Sequence, residues 1–330
     1  MSLARRSAYA GGAVVAGAVA FLGVLVVEGG LAIRATHKVK MELAPNPTGW
    51  YGARNPGRPI TVALMGDSSA AGYGMTDVED TPGAVLATAM ADLSHHPVRL
   101  HDLSVIAAKS SDLHPQVEKA IAAEADVAVI LVGANDVIRR VRPSVAVSHL
   151  EQAVRRLQEK GVKVLVGTVP DLGTATPILA PLRQVMRAWS LSLAARQTIQ
   201  VVRAGGHTIS LGDVLGPAFK ARPSFWFGDD LFHPSAPGYH ALGESLVPPL
   251  LSMLAIIGDE QAILQTYYGK QVMPLAAAAL RAVVRPGTEI DPAPRPRGRI
   301  RRFWVRARKF DQSEPRRGRR PSHKAPAART

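Results

Sequence analysis

The sequence contains no cysteine, which excludes disulfides, zinc–thiolate sites and a cysteine nucleophile. Aromatic residues make up only 5% of the 330 residues, and asparagine occurs three times. Most of the chain is nearly balanced in charge, because residues 1–284 carry 25 basic and 22 acidic side chains. Residues 285–330 carry 15 basic and 4 acidic side chains. The net charge of +14 therefore arises mainly at the C-terminus, and the rest predicts an ordinary globular surface.

The N-terminus carries a long run without charge. Residues 7–27 contain no Asp, Glu, Lys, Arg or His and follow Arg5 and Arg6. A run of about 20 residues is long enough to cross a bilayer as a helix, and the two arginines favour a cytoplasmic start. We predict an anchor within residues 1–35 and an extracytoplasmic placement of the remainder. A cleaved signal peptide is the alternative, although residues 32–35 form a poor cleavage site.

Residues 58–257 alternate between strand and helix patterns. Apolar, β-branched runs predict strands at 60–65, 98–105, 127–132, 162–169 and 208–211. Helical patterns lie between them and after them, the last at 235–257, where Pro248 and Pro249 predict a bend or a restart. This alternation predicts an α/β fold, a flavodoxin-like three-layer α/β/α sandwich with a five-stranded parallel sheet. The proline-rich segment 36–57 is predicted to be a linker.

Polar residues follow the first and third predicted strands. Ser68 stands in a glycine-flanked turn after the first, at the sheet edge where α/β folds place their ligands. Asn135 follows the third and is the only asparagine of the domain. A neutral amide there could donate to a developing oxyanion. Both residues have an ordinary alternative as a helix cap or turn.

A histidine near the end of the domain has an acidic neighbour. Asp230 precedes His233 by three residues, a spacing that lets the carboxylate reach the imidazole. Asp229 is one residue off this spacing and is the weaker candidate. His240 is interpreted as a spectator, as are four histidines without a comparable partner, namely His95, His96, His101 and His114.

These motifs together resemble the SGNH, or GDSL-like, hydrolase family over about residues 58–256. Gly66-Asp67-Ser68 matches its first block, Gly133 to Asp136 its third, and Asp230 to His233 its last. The resemblance implies a nucleophilic Ser68, a basic His233 and an orienting Asp230. It also implies oxyanion donors at the Ser68 N–H, at Asn135 and at a residue of the second block.

The second block departs from the family pattern. Aligning it places Ala107 where the family has a glycine. The backbone N–H survives this exchange, but the added methyl group could crowd the acyl pocket. The resemblance therefore implies an oxyanion hole of Ser68, Ala107 and Asn135.

Covalent acyl transfer through Ser68 is the reaction that these residues favour. No Gly-x-x-x-x-Gly-Lys motif, dinucleotide fingerprint or metal-ligand spacing is present, so we expect no cofactor and no metal. The main hypothesis is a serine esterase for acyl or acetyl esters of lipids or carbohydrates. One alternative is an O-acyltransferase that passes the acyl group to a sugar or lipid hydroxyl. Another is a non-catalytic envelope protein.

Two segments follow the domain. Residues 258–285 are predicted to form a helical extension, and residues 286–330 a disordered, arginine-rich tail. Aromatic residues among the cations near Trp304 suit an anionic membrane surface. Nucleic acid is a less favoured partner for an exported chain, and a solvated tail is the plain alternative.

Overall fold

The fold is organised around a six-stranded sheet with strand order β1-β3-β2-β4-β5-β6. The computed structural model describes residues 27–28, 43–256, 270–272 and 290–292. The strands are β1 (Gly49–Tyr51), β2 (Ile60–Gly66), β3 (Val98–Asp102), β4 (Val127–Leu131), β5 (Lys163–Gly167) and β6 (His207–Ile209).

The sheet has one strand more than the sequence predicts. The five predicted strands are present, and the pairs β2–β3, β2–β4, β4–β5 and β5–β6 are parallel. The extra strand β1 pairs antiparallel with β3 and lies in the segment predicted to be a linker. The prediction of five parallel strands is therefore wrong at this edge. Three residues among prolines are too few to show a strand pattern.

Ten helices surround this sheet in the described part of the chain. They are α1 (Ser68–Ala71), α2 (Pro82–Ser94), α3 (His114–Ala122), α4 (Ala134–Ile138), α5 (Pro143–Gln158), α6 (Leu182–Arg203), α7 (Leu211–Val214), α8 (Gly216–Ala221), α9 (Pro223–Trp226) and α10 (Ala236–Met253). Short 3₁₀ turns occupy Val78–Asp80, Ser110–Asp112 and Leu172–Thr174. Pro248 and Pro249 lie inside α10, which contradicts the predicted restart, because the helix continues to Met253.

The helices cover both faces of the sheet. Residues of α3, α5 and α6 share one apolar cluster with β2, β4 and β5. Helices α2 and α10 pack against each other over the other face. All five residues of β4 are buried, as expected for a central parallel strand covered on both sides. The carboxyl ends of the parallel strands therefore meet at one edge, between the two helical layers.

The terminal predictions fall largely outside the described residues. Of residues 1–35, the structure describes only Val27 and Glu28. Among the helices it describes, none combines the length and apolar character needed to cross a bilayer. Within the predicted helical extension, Lys270–Val272 is a strand, β7, which pairs antiparallel with β8 (Ile290–Pro292). The rest of the predicted extension and tail lies outside the description.

Candidate active site

Ser68 begins the short helix α1 directly after β2. The side chain of Asp67 caps this helix by accepting the N–H of Ser69, and Gly72 ends it with a left-handed φ of 74°. A helix this tightly capped holds the Ser68 side chain at the carboxyl edge of the sheet. The position agrees with the expectation from the sequence.

The turn requires a glycine at position 66. Its φ is 136°, and a Cβ atom placed there would lie 1.9 Å from the carbonyl oxygen of Leu131. The buried amide of Gln116 fixes the same residue, because its Oε1 accepts the Gly66 N–H and its Nε2 donates to the Gly66 carbonyl. The strand end before Ser68 is thus held from two sides.

His233 connects Ser68 to Asp230. Its Nε2 lies 3.1 Å from Ser68 Oγ, and its Nδ1 lies 2.6 Å from Asp230 Oδ2. When Nδ1 carries the proton, it donates to the carboxylate, and Nε2 accepts from the serine hydroxyl. The structure therefore brings together three residues that are separated by up to 165 positions in sequence.

Aromatic rings fix the orientation of the imidazole. The ring of Tyr73 meets the His233 ring edge to face with 4.8 Å between centroids, and Phe232 does so at 5.1 Å. The Tyr73 carbonyl accepts a hydrogen bond from the buried Tyr239 hydroxyl. Such edge contacts are favourable for aromatic rings and limit the rotamers of the histidine.

Asp230 is held in its ionised form. Burial alone would raise its pKa, but hydrogen bonds from the His233 ring and from the N–H groups of Phe232 and His233 outweigh it. The pKa of Asp230 is therefore lowered from its ordinary value. An ionised carboxylate in this position stabilises a protonated imidazole.

Asp67 shows the opposite behaviour in the same site. It is buried, and this burial raises its pKa to about 6, although the hydrogen bond from Ser69 and the proximity of His233 lower it in part. Fewer hydrogen bonds reach its carboxylate than reach Asp230. Among the described residues no hydrogen bond joins Asp67 to the imidazole of His233, and Asp67 serves as the cap of α1.

Three candidate oxyanion donors belong to three segments at this edge, namely the start of α1, the loop after β3 and helix α4. Among the described residues, neither the N–H groups of Ser68 and Ala107 nor the Asn135 amide has a hydrogen-bond acceptor. Two tethers position the loop that carries Ala107. The Val105 N–H donates to the Gly66 carbonyl, and Ser110 donates twice to the buried carboxylate next to Asn135, that of Asp136.

Ala107 adopts the backbone conformation of a glycine. Its φ is 64°, in the left-handed region that costs an L-residue about 1–2 kcal/mol. This conformation accounts for the glycine that the family places here. The Ala107 side chain is exposed and is not among the residues that line the apolar pocket beside His233. Its methyl group therefore does not fill that pocket.

An apolar pocket opens beside His233. Its volume is about 90 Å³, and its ionisable lining groups are Asp67, Asp171 and His233. Most of the remaining wall is hydrocarbon, contributed by the ends of β4 and β5, by the loop after β5 and by the short helices that follow β6. Representative side chains are Leu131, Val169, Leu172, Leu215, Phe219 and Phe227.

The other candidate residues lie apart from this constellation. Asp229 is exposed, and Asp230 takes the contact with His233. His240 pairs instead with Asp80, at 2.8 Å. The remaining four histidines form no ion pair with any residue that the structure describes; they are His95, His96, His101 and His114.

Sequence reasoning missed several residues that hold the site. Gln116 clamps Gly66, and the buried Gln197 links two strand ends by accepting the Val169 N–H and donating to the Val132 carbonyl. A buried glutamine inside a helix leaves no local signal. Tyr73 was within reach of inference, because it lies five residues after Ser68 and between two glycines.

Comparisons with known proteins identify the family of the chain. The family model of the GDSL-like lipase/acylhydrolase family matches residues 64–241, more than half of the chain. A GDSL-like esterase of Mycobacterium tuberculosis, Rv1075c, is 40% identical over 187 residues, which cover 55% of this chain and 59% of that protein. The match thus spans less than two thirds of the mycobacterial esterase.

Solved structures with similar folds include two bacterial enzymes. The psychrotrophic esterase EstA from Pseudoalteromonas is 17% identical with a TM-score of 0.46, covering 59% of this chain and 98% of that chain. An extracellular lipase from Streptomyces rimosus is 16% identical with a TM-score of 0.48, covering 59% and 99%. On the extent of its match to the family model, the chain belongs to the GDSL-like lipase/acylhydrolase family.

Proposed function

We propose that the protein is a serine ester hydrolase in which Ser68, His233 and Asp230 form the catalytic triad. The observation that carries this proposal is the continuous contact from Ser68 Oγ through both nitrogens of His233 to Asp230 Oδ2. A serine hydroxyl is a weak nucleophile until a base accepts its proton, and this arrangement supplies the base together with the group that orients it.

The first half of the reaction forms an acyl-enzyme. Ser68 Oγ attacks the ester carbonyl carbon while its proton passes to His233 Nε2, and Asp230 stabilises the imidazolium. The carbonyl oxygen then carries a negative charge. The tetrahedral intermediate collapses, the bond to the alcohol oxygen breaks, and the alcohol leaves with the proton from Nε2.

The N–H groups of Ser68 and Ala107 and the amide of Asn135 are suited to stabilise that negative charge. Among the described residues these donors have no other acceptor, so they need no rearrangement when the oxyanion forms. In the second half, water gives a proton to His233 and attacks the acyl carbon. Ser68 then leaves with that proton, and the carboxylic acid is released.

The pocket favours an apolar acyl group. Its volume is about 90 Å³, and it is open to the surface beside His233. Hydrocarbon walls beside His233 favour the apolar part of the ester over a charged or sugar part. We therefore assign acyl and acetyl esters of a lipid or carbohydrate alcohol as the substrate class.

Labelling with a fluorophosphonate probe tests the proposal, because the probe reacts only with an activated serine. Mass spectrometry should place the adduct on Ser68. The Ser68→Ala protein should lose both labelling and hydrolysis of p-nitrophenyl acetate, while Ser148→Ala, the same change on an exposed helix, should retain them. Full activity in a folded Ser68→Ala protein would contradict the proposal. Acylated alcohol exceeding free acid, when an acceptor is supplied, would favour transfer over hydrolysis.

The proposal also places the chain at a membrane. Residues 7–27 serve as an uncleaved anchor, and the catalytic domain lies on the extracytoplasmic side, as the preceding arginines favour. The cationic residues 286–330 add attraction to anionic lipids. A reporter that is active only outside the cytoplasm, fused after residue 57, should be active. An inactive but well-expressed fusion would contradict this placement and favour nucleic acid as the partner of the tail.

A further inference from the structure

The two sides of the catalytic mouth differ in surface chemistry. The loops that lead into α3, α5 and α6 belong to one helical layer, and the turn at Val78–Asp80 packs with α2 and α10 of the other. All of these segments stand at the carboxyl edge of the sheet, where Ser68 lies. We call the first set the arginine side and define it by Ile106, Ile138, Arg139, Arg140, Arg142 and Leu179.

The arginine side exposes large apolar side chains. Ile106 follows β3, Ile138 ends the helix that carries Asn135, and Leu179 precedes α6, and all three are exposed. Val105 and Val145 extend the same surface and are exposed as well. Single exposed apolar residues need no explanation, but several around one active-site mouth indicate a surface that contacts something apolar.

Cations are interspersed with these apolar residues. Arg139, Arg140 and Arg142 are exposed, and none of them forms an ion pair with any residue that the structure describes. The segment 77–80 of the opposite side instead carries three acidic side chains, those of Asp77, Glu79 and Asp80. Charge complementarity therefore directs one side of the mouth, and not the other, toward an anionic partner.

A contact from the N-terminal segment reaches the same side. The carboxylate of Glu28 accepts the backbone N–H of Leu182, the first residue of α6, and Glu28 is 9% exposed. Leu179 of the arginine side lies three residues before this point. Val27 next to the contact is 63% exposed, and the uncharged run 7–27 precedes it in sequence. Glu28 therefore lies at the start of α6, close in sequence to Leu179 of the arginine side.

We propose that the arginine side docks on an anionic lipid surface, with its apolar side chains among the lipid headgroups and its arginines on their phosphates. Protein surfaces that bind at a membrane interface combine arginines, which contact the lipid headgroups, with apolar side chains. In this orientation the mouth of the pocket lies at the membrane surface, and the acidic segment 77–80 faces water. The consequence that membrane-borne esters are the substrates rests on the proposed function, whereas the docking does not.

Position-specific fluorescence tests the orientation in the full chain, which has no native cysteine. Ile138→Cys and Val78→Cys are matched sites, because both side chains are 40% exposed and both lie at the catalytic edge. An environment-sensitive dye at position 138 should shift to the blue on phosphatidylcholine–phosphatidylglycerol vesicles and be quenched by nitroxide lipids. The dye at position 78 should do neither.

Either of two results would overturn the proposal. Equal insertion at both positions would remove the orientation, and insertion at neither would remove the docking, even if the N-terminal segment and tail hold the protein on the vesicle. A position-138 dye that responds to a soluble protein or to nucleic acid, but not to vesicles, would assign the surface to that partner instead.

A charge-reversal pair tests the arginines. In the Ile138→Cys background, Arg140→Glu with Arg142→Glu should reduce the fraction of inserted dye by about tenfold or more. Arg196→Glu with Arg203→Glu makes the same change on exposed arginines in the C-terminal half of α6 and should leave insertion unchanged. Equal insertion in the two pairs contradicts the role of the arginines. The measurement is repeated with Ser68→Ala, so loss of the proposed esterase reaction and loss of docking are observed separately.

Discussion

Two histidine–aspartate pairs stand near the carboxyl edge of the sheet, and their histidines are seven residues apart in sequence. His233 Nδ1 lies 2.6 Å from Asp230, and His240 Nε2 lies 2.8 Å from Asp80. The contact distances are nearly the same, but the surroundings are not. The side chains of the first pair are 16% and 3% exposed, and those of the second are 34% and 36% exposed.

The difference shows what makes such a pair chemically competent. A buried pair is screened little by water, so the carboxylate acts on the imidazole at nearly full strength, whereas an exposed pair is solvated. His233 also turns its Nε2 to Ser68, while His240 uses its Nε2 for the aspartate. A histidine–aspartate contact alone therefore does not identify the base, and the third partner does.

The largest expected effect comes from removing each histidine in turn. His233→Ala should lower kcat for p-nitrophenyl acetate by about 10⁵–10⁶, because Ser68 then has no base. His240→Ala should change kcat by less than about twofold, since surface substitutions away from the site act weakly. Stopped-flow and steady-state rates on both folded variants decide this, and comparable losses in the two would remove the distinction between the pairs.

The second-largest effect distinguishes the carboxylate of Asp230 from that of Asp80. Asp230→Asn should lower kcat by about 10⁴, because an amide does not hold the imidazole in the required tautomer or stabilise its cation. Asp80→Asn should leave kcat nearly unchanged. Steady-state kinetics at one pH are sufficient for the comparison. A small effect of Asp230→Asn would mean that Ser68 and His233 function without an ionised third member.

A smaller effect on kcat is expected from replacing Asn135. Asn135→Ala should lower kcat by about 10²–10³ with a smaller change in KM, because the amide acts on charge that appears only in the transition state. Asn55→Ala is the matched control, since Asn55 donates to the carbonyls of Ala91 and His96 and holds a loop. We expect that control to affect stability and to spare kcat. A rise in KM at constant kcat for Asn135→Ala would assign the amide to substrate binding.

The contact between Asp230 and His233 could be predicted from the sequence, whereas the contact between Asp80 and His240 could not. Asp230 and His233 are three residues apart, so their contact is local and visible as spacing. Asp80 and His240 meet only after α2 and α10 pack together, and no local pattern reports a contact between residues 160 positions apart. Periodicity likewise predicted the long strands and helices, because buried faces repeat along the chain.

Short or context-dependent features were beyond sequence reasoning for the same physical reason. Strand β1 has three residues and exists because its backbone pairs with β3. Helix α10 continues through two prolines, where local preference predicts a break. The left-handed φ of Ala107 is likewise a property of the loop around it, which tertiary hydrogen bonds fix. Each of these features is decided by partners distant in sequence.

The smallest predicted effect concerns stability as a function of pH. The folded-state pKa of Asp230 lies below its ordinary value, which for an unfolded chain is about 3.9. A carboxylate with a depressed folded pKa stabilises the fold at pH values above the unfolded pKa. This contribution is lost as the pH falls through the folded pKa. Asp80 belongs to an exposed pair, for which a contribution of about 1 kcal/mol or less is expected.

Urea unfolding of the wild type, Asp230→Asn and Asp80→Asn between neutral pH and about pH 3 measures this difference. The gap in unfolding free energy between wild type and Asp230→Asn should be widest near neutral pH and should narrow below about pH 4, where the carboxylate of the unfolded chain begins to bind its proton while the native carboxylate does not. The gap for Asp80→Asn should stay small throughout. A gap for Asp230→Asn that is constant over the whole range would show that packing, and not ionisation, makes the buried pair differ from the exposed one.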